Sequence, residues 1–167
     1  MIITLPSFNK DINFREMSPK EGKDHYRFIT KHNLRIAWSG YVPYGTRLSF
    51  FDKKGTEWLY MDHSCFIIKK GYAWDGCTPK RYLPILGWIG VPDFKKTLLA
   101  SVIHDVLCQF QDTEHFPLSR FEIDNIFKII LERQKFLLSF LYYVGVRFGS
   151  IIHHKKHNTF SKIIVEK

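Results

Sequence analysis

The pair His104-Asp105 is the part of this chain best suited to chemistry, because an imidazole exchanges protons near neutral pH and a carboxylate beside it can face a cation. From Thr97 to Gln111, residues Leu98, Leu99, Val102, Ile103, Val106, Leu107 and Phe110 fall on one side of a helical wheel. His104 lies nearly opposite, among the small residues Ala100, Ser101 and Cys108, which leave room for a ligand or for a second helix. Asp105 sits about 100° further round, at the edge of the apolar stripe, so the two side chains point apart. That arrangement suits His104 as a base and Asp105 as a ligand for a cation. The alternative is that His104 fills a packing gap and Asp105 pairs with a nearby basic group.

Two further constellations accompany it. Arg120 and Asp124, four residues apart, project within the angular range of Phe127 and Leu131, so both charges lean towards the core and need partners: each other, or Asp105 or His104 across a helix pair. A structural ion-pair network accounts for this as well as a catalytic one does. Trp74-Asp75-Gly76-Cys77-Thr78-Pro79 ends a strand in Asp-Gly, a turn that presents a carboxylate and backbone carbonyls, the oxygen-rich setting a hard cation such as Ca²⁺ accepts. The order of the motifs predicts that the Asp75-Gly76 turn lies beside the helix carrying His104 and Asp105, within roughly 10 Å.

The elements that must position these residues read as α+β, an antiparallel β-meander followed by three packed α-helices. RFITKHNLRIAW, TRLSFFD, EWLYMD and SCFIIKKGYAW are strand-like and separated by turn residues. The run 81–94, RYLPILGWIGVPDF, is an apolar loop over the core, or a flap or membrane-touching loop beside a site. A first helix covers Thr97 to Gln111. A second starts at Ser119, where Ser-Arg-Phe-Glu is a capping box, and runs to Arg133. A third, from Lys135 to Gly149, is apolar nearly all round apart from Arg147 and is expected to be a buried central helix. Residues 1–22 form an N-terminal arm or edge segment, 23–152 a single α+β domain, and 153–167 a basic tail whose His153, His154 and His157 are expected to be solvated.

With 25 Lys plus Arg against 16 Asp plus Glu, the net charge of +9 serves solubility or a general attraction to anionic surfaces; the basic residues are scattered and follow no nucleic-acid motif, so nucleic acid is not the expected partner. Cys65, Cys77 and Cys108 have no CxxC spacing and an odd count, which argues against a zinc ribbon and a fully paired disulfide framework. The N-terminus has no signal-peptide pattern, and no transmembrane helix is expected.

The blocks Tyr72-Ala73-Trp74-Asp75-Gly76-Cys77-Thr78-Pro79, Ala100 to Asp105, Ser119-Arg120 with Asp124 and Phe127, and Tyr143 with Val146-Arg147 and Gly149 resemble the phage and prophage family catalogued as domain of unknown function 1353. The resemblance spans roughly residues 35 to 150 and implies a phage or prophage origin, with no established activity. The Asp-Gly-Cys loop ahead of a His-Asp helix is also similar to the bacterial type A2 phospholipases. That similarity implies His104 as the general base, Asp105 as a calcium ligand with the loop around Asp75 and Gly76, and Asp124 orienting His104. Cys108 departs from the tyrosine usual in that family, and a β-meander precedes the motif.

Three functions therefore compete. One is a calcium-assisted hydrolase of lipid or cell-envelope esters, with His104 and Asp124 catalytic, Asp105, Asp75 and Gly76 on the metal, and Trp74, Arg120 and Arg147 in support. Another is a virion or tail protein in which the same residues are a structural network. The last is a binder of a host factor. Virion proteins, a lipid or membrane surface and host factors are the corresponding partners, and the virion or the host cytoplasm the corresponding locations.

Overall fold

The computed structural model describes residues 14–16, 26–39, 41–77, 81–83, 87–89, 94–152 and 159–165, with side chains described for all but 81–83, 87–89, 149–152 and 165. The fold is α+β, with antiparallel sheets followed by three helices. Strands β1 (Phe14–Glu16), β2 (Phe28–Thr30) and β7 (Ala73–Trp74) form a small sheet in the order β1-β2-β7. Strands β3 (Leu34–Ala37), β4 (Thr46–Asp52), β5 (Glu57–Met61), β6 (Cys65–Ile68) and β10 (Thr159–Val165) form a second sheet in the order β10-β4-β5-β6-β3. A hairpin joins β8 (Arg81–Leu83) to β9 (Gly87–Ile89), and the helices are α1 (Leu98–Phe110), α2 (Arg120–Arg133) and α3 (Ser139–Ile152).

The β4-β5-β6 segment is the meander that alternation predicts: Leu48, Phe50, Leu59, Met61, Phe66 and Ile68 are all buried. Two of the expected long strands are divided. RFITKHNLRIAW becomes β2 in one sheet and β3 in the other; SCFIIKKGYAW becomes β6 and β7, parted at Gly71, whose φ of 88° a residue with a Cβ adopts only under strain.

Within the arm 1–22, Phe14–Glu16 form β1, Phe14 is buried and its ring lies 4.9 Å edge-on from that of Trp74; 1–13 and 17–22 lie outside the described residues. The tail reading needs correction. Thr159 to Val165 pairs in unbroken antiparallel register with Asp52 to Thr46, making β10 an edge strand of the larger sheet, while His153, His154 and His157 lie outside the described residues. The aromatic and β-branched content of the segment, Phe160, Ile163, Ile164 and Val165, suits a strand, although the basic composition masked it. The apolar run 81–94 contains the β8–β9 hairpin, and 84–86 and 90–93 lie outside the described residues.

The helix expected at the centre is not the one found there. In α1 every residue from Leu98 to His104 is buried, with Phe110 against Phe50 of the larger sheet (ring centroids 5.7 Å apart) and His104 against Phe127 of α2. By contrast α3 packs on α2 from outside and leaves Phe140, Leu141 and Phe148 exposed. It also begins at Ser139 instead of Lys135. The cause is the end of α2: Lys135 takes φ 51°, Lys135 N–H donates to Glu132 O at 2.9 Å and Phe136 N–H to Leu131 O at 3.1 Å. This paired closure is a Schellman motif, which stops the helix and turns the chain. At the other end of α2, Ser119 and Glu122 form the expected capping box.

Lys135 is the one non-glycine residue with positive φ among those described. Lys135→Gly relieves its Cβ crowding and is expected to stabilise the protein by about 0.5–1 kcal/mol, seen as a higher urea midpoint. A lowered midpoint would mean that this turn is not held in the left-handed conformation.

Candidate functional site: a buried carboxylate among three helices

Asp124 has 0% exposure, yet burial of a carboxylate is tolerable only when charges and hydrogen bonds replace its water. Three groups do so here. His104 Nε2 of α1 donates to Oδ1 at 2.8 Å, Arg120 Nε of α2 donates to the same oxygen at 3.1 Å, and Arg147 Nη1 of α3 donates to Oδ2 at 2.9 Å. Each helix thus supplies one donor. Arg120 is bridged onward to Gln111 Oε1 at 3.4 Å, and the Arg147 guanidinium lies 5.3 Å from the centre of the Phe121 ring.

The carboxylate fixes the histidine tautomer. An ionised acid only accepts, so Nε2 carries the hydrogen and Nδ1 holds the lone pair when the ring is neutral. Nδ1 lies 3.9 Å from Asp105 Oδ1, beyond direct hydrogen-bond distance and within reach of a small side-chain rotation. Cys108 Sγ is 3.7 Å from Nδ1 and 3.6 Å from Nε2. The two in-plane nitrogen directions diverge, so a sulfur equidistant from both lies along neither. Cys108 packs against the imidazole and is not poised as its thiol partner.

Burial opposes charge on His104, but Cys108, Asp105 and Asp124 outweigh it and hold the pKa well above 6.5. The contact at 2.8 Å makes Asp124 the principal cause. Burial alone would likewise raise the pKa of Asp124; the hydrogen bond and charge of His104, with Arg120 and Arg147, bring it below 3.8. The two groups therefore stabilise one another as an ion pair.

The Asp75-Gly76 turn follows from Trp74, which is buried against Phe14 and Phe28 and donates its indole N–H to Ser101 Oγ of α1 at 3.0 Å. Gly76 turns the chain at φ 90°, and Cys77 Sγ then reaches Thr97 O at 3.7 Å, just before α1 begins. Tyr72, whose hydroxyl donates to Gln109 Oε1 at 2.9 Å, is pushed well above 10 by burial and then by Asp105, Tyr26, Cys108 and Asp75. The contacts of Trp74 with Ser101 and of Cys77 with Thr97, on either side of Asp75 and Gly76, place the turn beside α1.

The structure therefore gathers His104, Asp124, Arg120 and Arg147 at hydrogen-bond distance, and puts Trp74 and Asp75 against the same helix. Asp105 stands at the rim, about one-third exposed. Among the described residues, no group of three or more His, Cys, Asp or Glu side chains converges where a metal could sit. Calcium prefers six to eight oxygens. Asp105 and Asp75 supply two carboxylates towards that number, so the described residues do not complete a calcium site.

Sequence reasoning did not foresee that Arg147 reaches Asp124, nor that Ser101 receives the Trp74 indole. The signal for Arg147 was present, since it is the lone charge in the apolar run from Phe136 to Ile152.

A separate pocket of about 410 Å³ opens on the larger sheet between Tyr44, Arg47, Tyr60, Asp62 and His63. Its acid is spent: burial would raise the Asp62 pKa, but hydrogen bonds from Tyr60, Cys65 and Ser64 hold it at about 2. Tyr60, donating to Asp62, is pushed up to about 12 by that bond and by burial. Neither exchanges a proton near neutral pH.

Fold and site define an α+β protein whose three helices meet on one buried histidine–carboxylate–arginine network. The chain belongs to the family described as Protein of unknown function (DUF1353), whose model matches residues 55–146, more than half of its 167 residues. The match includes His104, Arg120 and Asp124 and ends one residue before Arg147. No curated protein and no solved structure matches the chain.

Asp124→Ala is expected to destabilise the protein by about 3 kcal/mol, because it leaves the charges of His104, Arg120 and Arg147 unmatched at a buried point. Arg147→Gln should cost about 1 kcal/mol, since that guanidinium is one-third exposed and solvent-screened. Stability should also form a plateau against pH. The share due to His104 is full below 6.5 and lost as pH rises through its raised folded value; the share due to Asp124 is present above 3.8 and lost as pH falls through its lowered one. Urea midpoints measured across pH check both limbs; a midpoint that is unchanged on the alkaline side and in Asp124→Ala would show that no buried ion pair exists.

Proposed function

We propose that the protein is a small ester hydrolase in which His104 activates water and Asp124 holds it in place. The observation that carries this reading is that Asp124 occupies Nε2, which leaves the Nδ1 lone pair of the neutral ring facing away towards Asp105. A base needs both features: one nitrogen anchored to a carboxylate that stays ionised, and the other free to take a proton. Arg120 and Arg147 keep Asp124 ionised, and the carboxylate stabilises the imidazolium formed when water loses its proton to Nδ1. Lipid and cell-envelope esters, met by a phage or prophage protein at the bacterial surface, are the substrates this reading favours. Asp105 sits where it can orient the attacking water.

A second reading rests on a different observation. Asp124 is completely buried and accepts from two arginines as well as from His104, which is what a purely structural tie in a virion or tail protein requires.

The two readings separate on His104→Gln. Glutamine can still donate to Asp124 but cannot act as a base, so at a temperature where the variant is folded the hydrolase loses turnover of p-nitrophenyl butyrate and of phosphatidylglycerol vesicles by about 10³-fold or more, while its melting temperature falls only by the ion-pair share lost with the imidazolium charge. Because the pKa of His104 stands above 6.5, the wild-type rate should rise with pH through that value as the base loses its proton. No turnover by well-folded wild-type protein at a pH where the His104 imidazole has lost its proton would leave the structural tie as the function of the network.

A further inference from the structure

The outer face of α3 is not explained by the network. Its inner side is committed: Tyr142 is buried against Phe136, with ring centroids 4.9 Å apart, and Val146 packs on the core, while Arg147 reaches Asp124 from the edge of the helix. On the opposite arc stand Phe140, Leu141, Val144 and Phe148, spaced so that all four share one stripe. Exposure is 66% for Phe140, 63% for Leu141 and 62% for Phe148, and Leu137, in the turn that leads into the helix, reaches 97%. So many large apolar side chains side by side on a water-facing helix mark a surface that something covers.

The surroundings of the stripe indicate what. At its N-terminal end lie Lys95 and Lys96, Arg133 at the close of α2, and Lys135; Lys96 Nζ donates to Lys135 O at 3.3 Å, which ties the short helical turn Lys95–Thr97 to the start of the stripe. Glu132, the acidic residue at this end, is engaged with Lys128 at 3.6 Å. The apolar stripe therefore has a cationic rim, on a chain of net charge +9. A second copy seated there would bring two such rims together, and like charges repel. An anionic lipid surface matches both parts, with acyl chains for the stripe and headgroup phosphates for the rim. The helix lies along such a surface instead of crossing it: its 14 residues span about 21 Å, short of the hydrocarbon core, and no described helix is long and apolar enough to cross a membrane.

We propose that the outer face of α3, together with Leu137, docks in the headgroup region of an anionic lipid bilayer, with Lys95, Lys96, Arg133 and Lys135 on the phosphates. The docking goes beyond the hydrolase reading and does not need His104 to act as a base.

Flotation of the full chain with phosphatidylglycerol–phosphatidylcholine vesicles and with pure phosphatidylcholine vesicles tests it. Binding is expected on the anionic vesicles, weakened by salt, and reduced about tenfold or more in Leu137→Ser/Leu141→Ser. Those side chains are exposed, so the variant should keep its melting temperature; Lys95→Glu/Lys96→Glu gives an independent reading through the rim. His104→Gln should float as the wild type does, which keeps this test separate from catalysis. Equal binding by wild type and both variants, no preference for anionic vesicles, or no binding together with a dimer in light scattering that Leu141→Ser dissociates, would each overturn the proposal.

Discussion

A carboxylate with no access to water must be matched from within the protein, and Asp124 sets that requirement for the whole helical half of this fold. The cost of burying an unmatched carboxylate exceeds what a small domain can spare, so α1, α2 and α3 hold only an arrangement in which His104, Arg120 and Arg147 all reach it. The tie matters most for α3. That helix turns much of its apolar surface outward, and it is held by Arg147 and by the aromatic cluster of Phe94, Phe136 and Tyr142. The two arginines are partly exposed while the acid is not, which keeps their own desolvation small as they neutralise it.

The same carboxylate decides what His104 can do. With Nε2 committed, the ring is oriented and its tautomer fixed before any substrate arrives, the preorganisation a general base requires. The small residues around His104 serve this orientation. Ser101 receives the Trp74 indole and so draws the strand before the Asp75-Gly76 turn onto α1, and Cys108 lets its sulfur lie against the imidazole. A structural role and a catalytic one would use the same geometry; they differ in whether the Nδ1 side meets a substrate.

Much of this was legible in the residues. The period of α1, the capping box at Ser119 and the placement of Arg120 and Asp124 beside Phe127 and Leu131 identified two helices and a charge pair, of which Asp124 is buried and Arg120 is partly exposed, because those signals are local. What was not legible is set by distant contacts. A run apolar all round, from Phe136 to Ile152, reads as buried, but whether it finds a cover depends on how many other elements surround it; α1, with the plainer amphipathic pattern, took the centre between sheet and helix. The allotment of β2 and β3 to different sheets and the pairing of β10 with β4 join residues far apart in the chain, and no local pattern specifies them. Arg147 was visible as an anomaly, whereas its partner, 23 residues earlier, was not.

The most direct test of the central claim is the ¹⁵N NMR titration of the His104 imidazole. Held by Asp124, the ring should still be doubly protonated at pH 6.5, lose its proton only well above that, and then show the tautomer with hydrogen on Nε2. A ring that is neutral at pH 6.5, or that carries its hydrogen on Nδ1 once neutral, would contradict the buried pair on which this account of the protein depends.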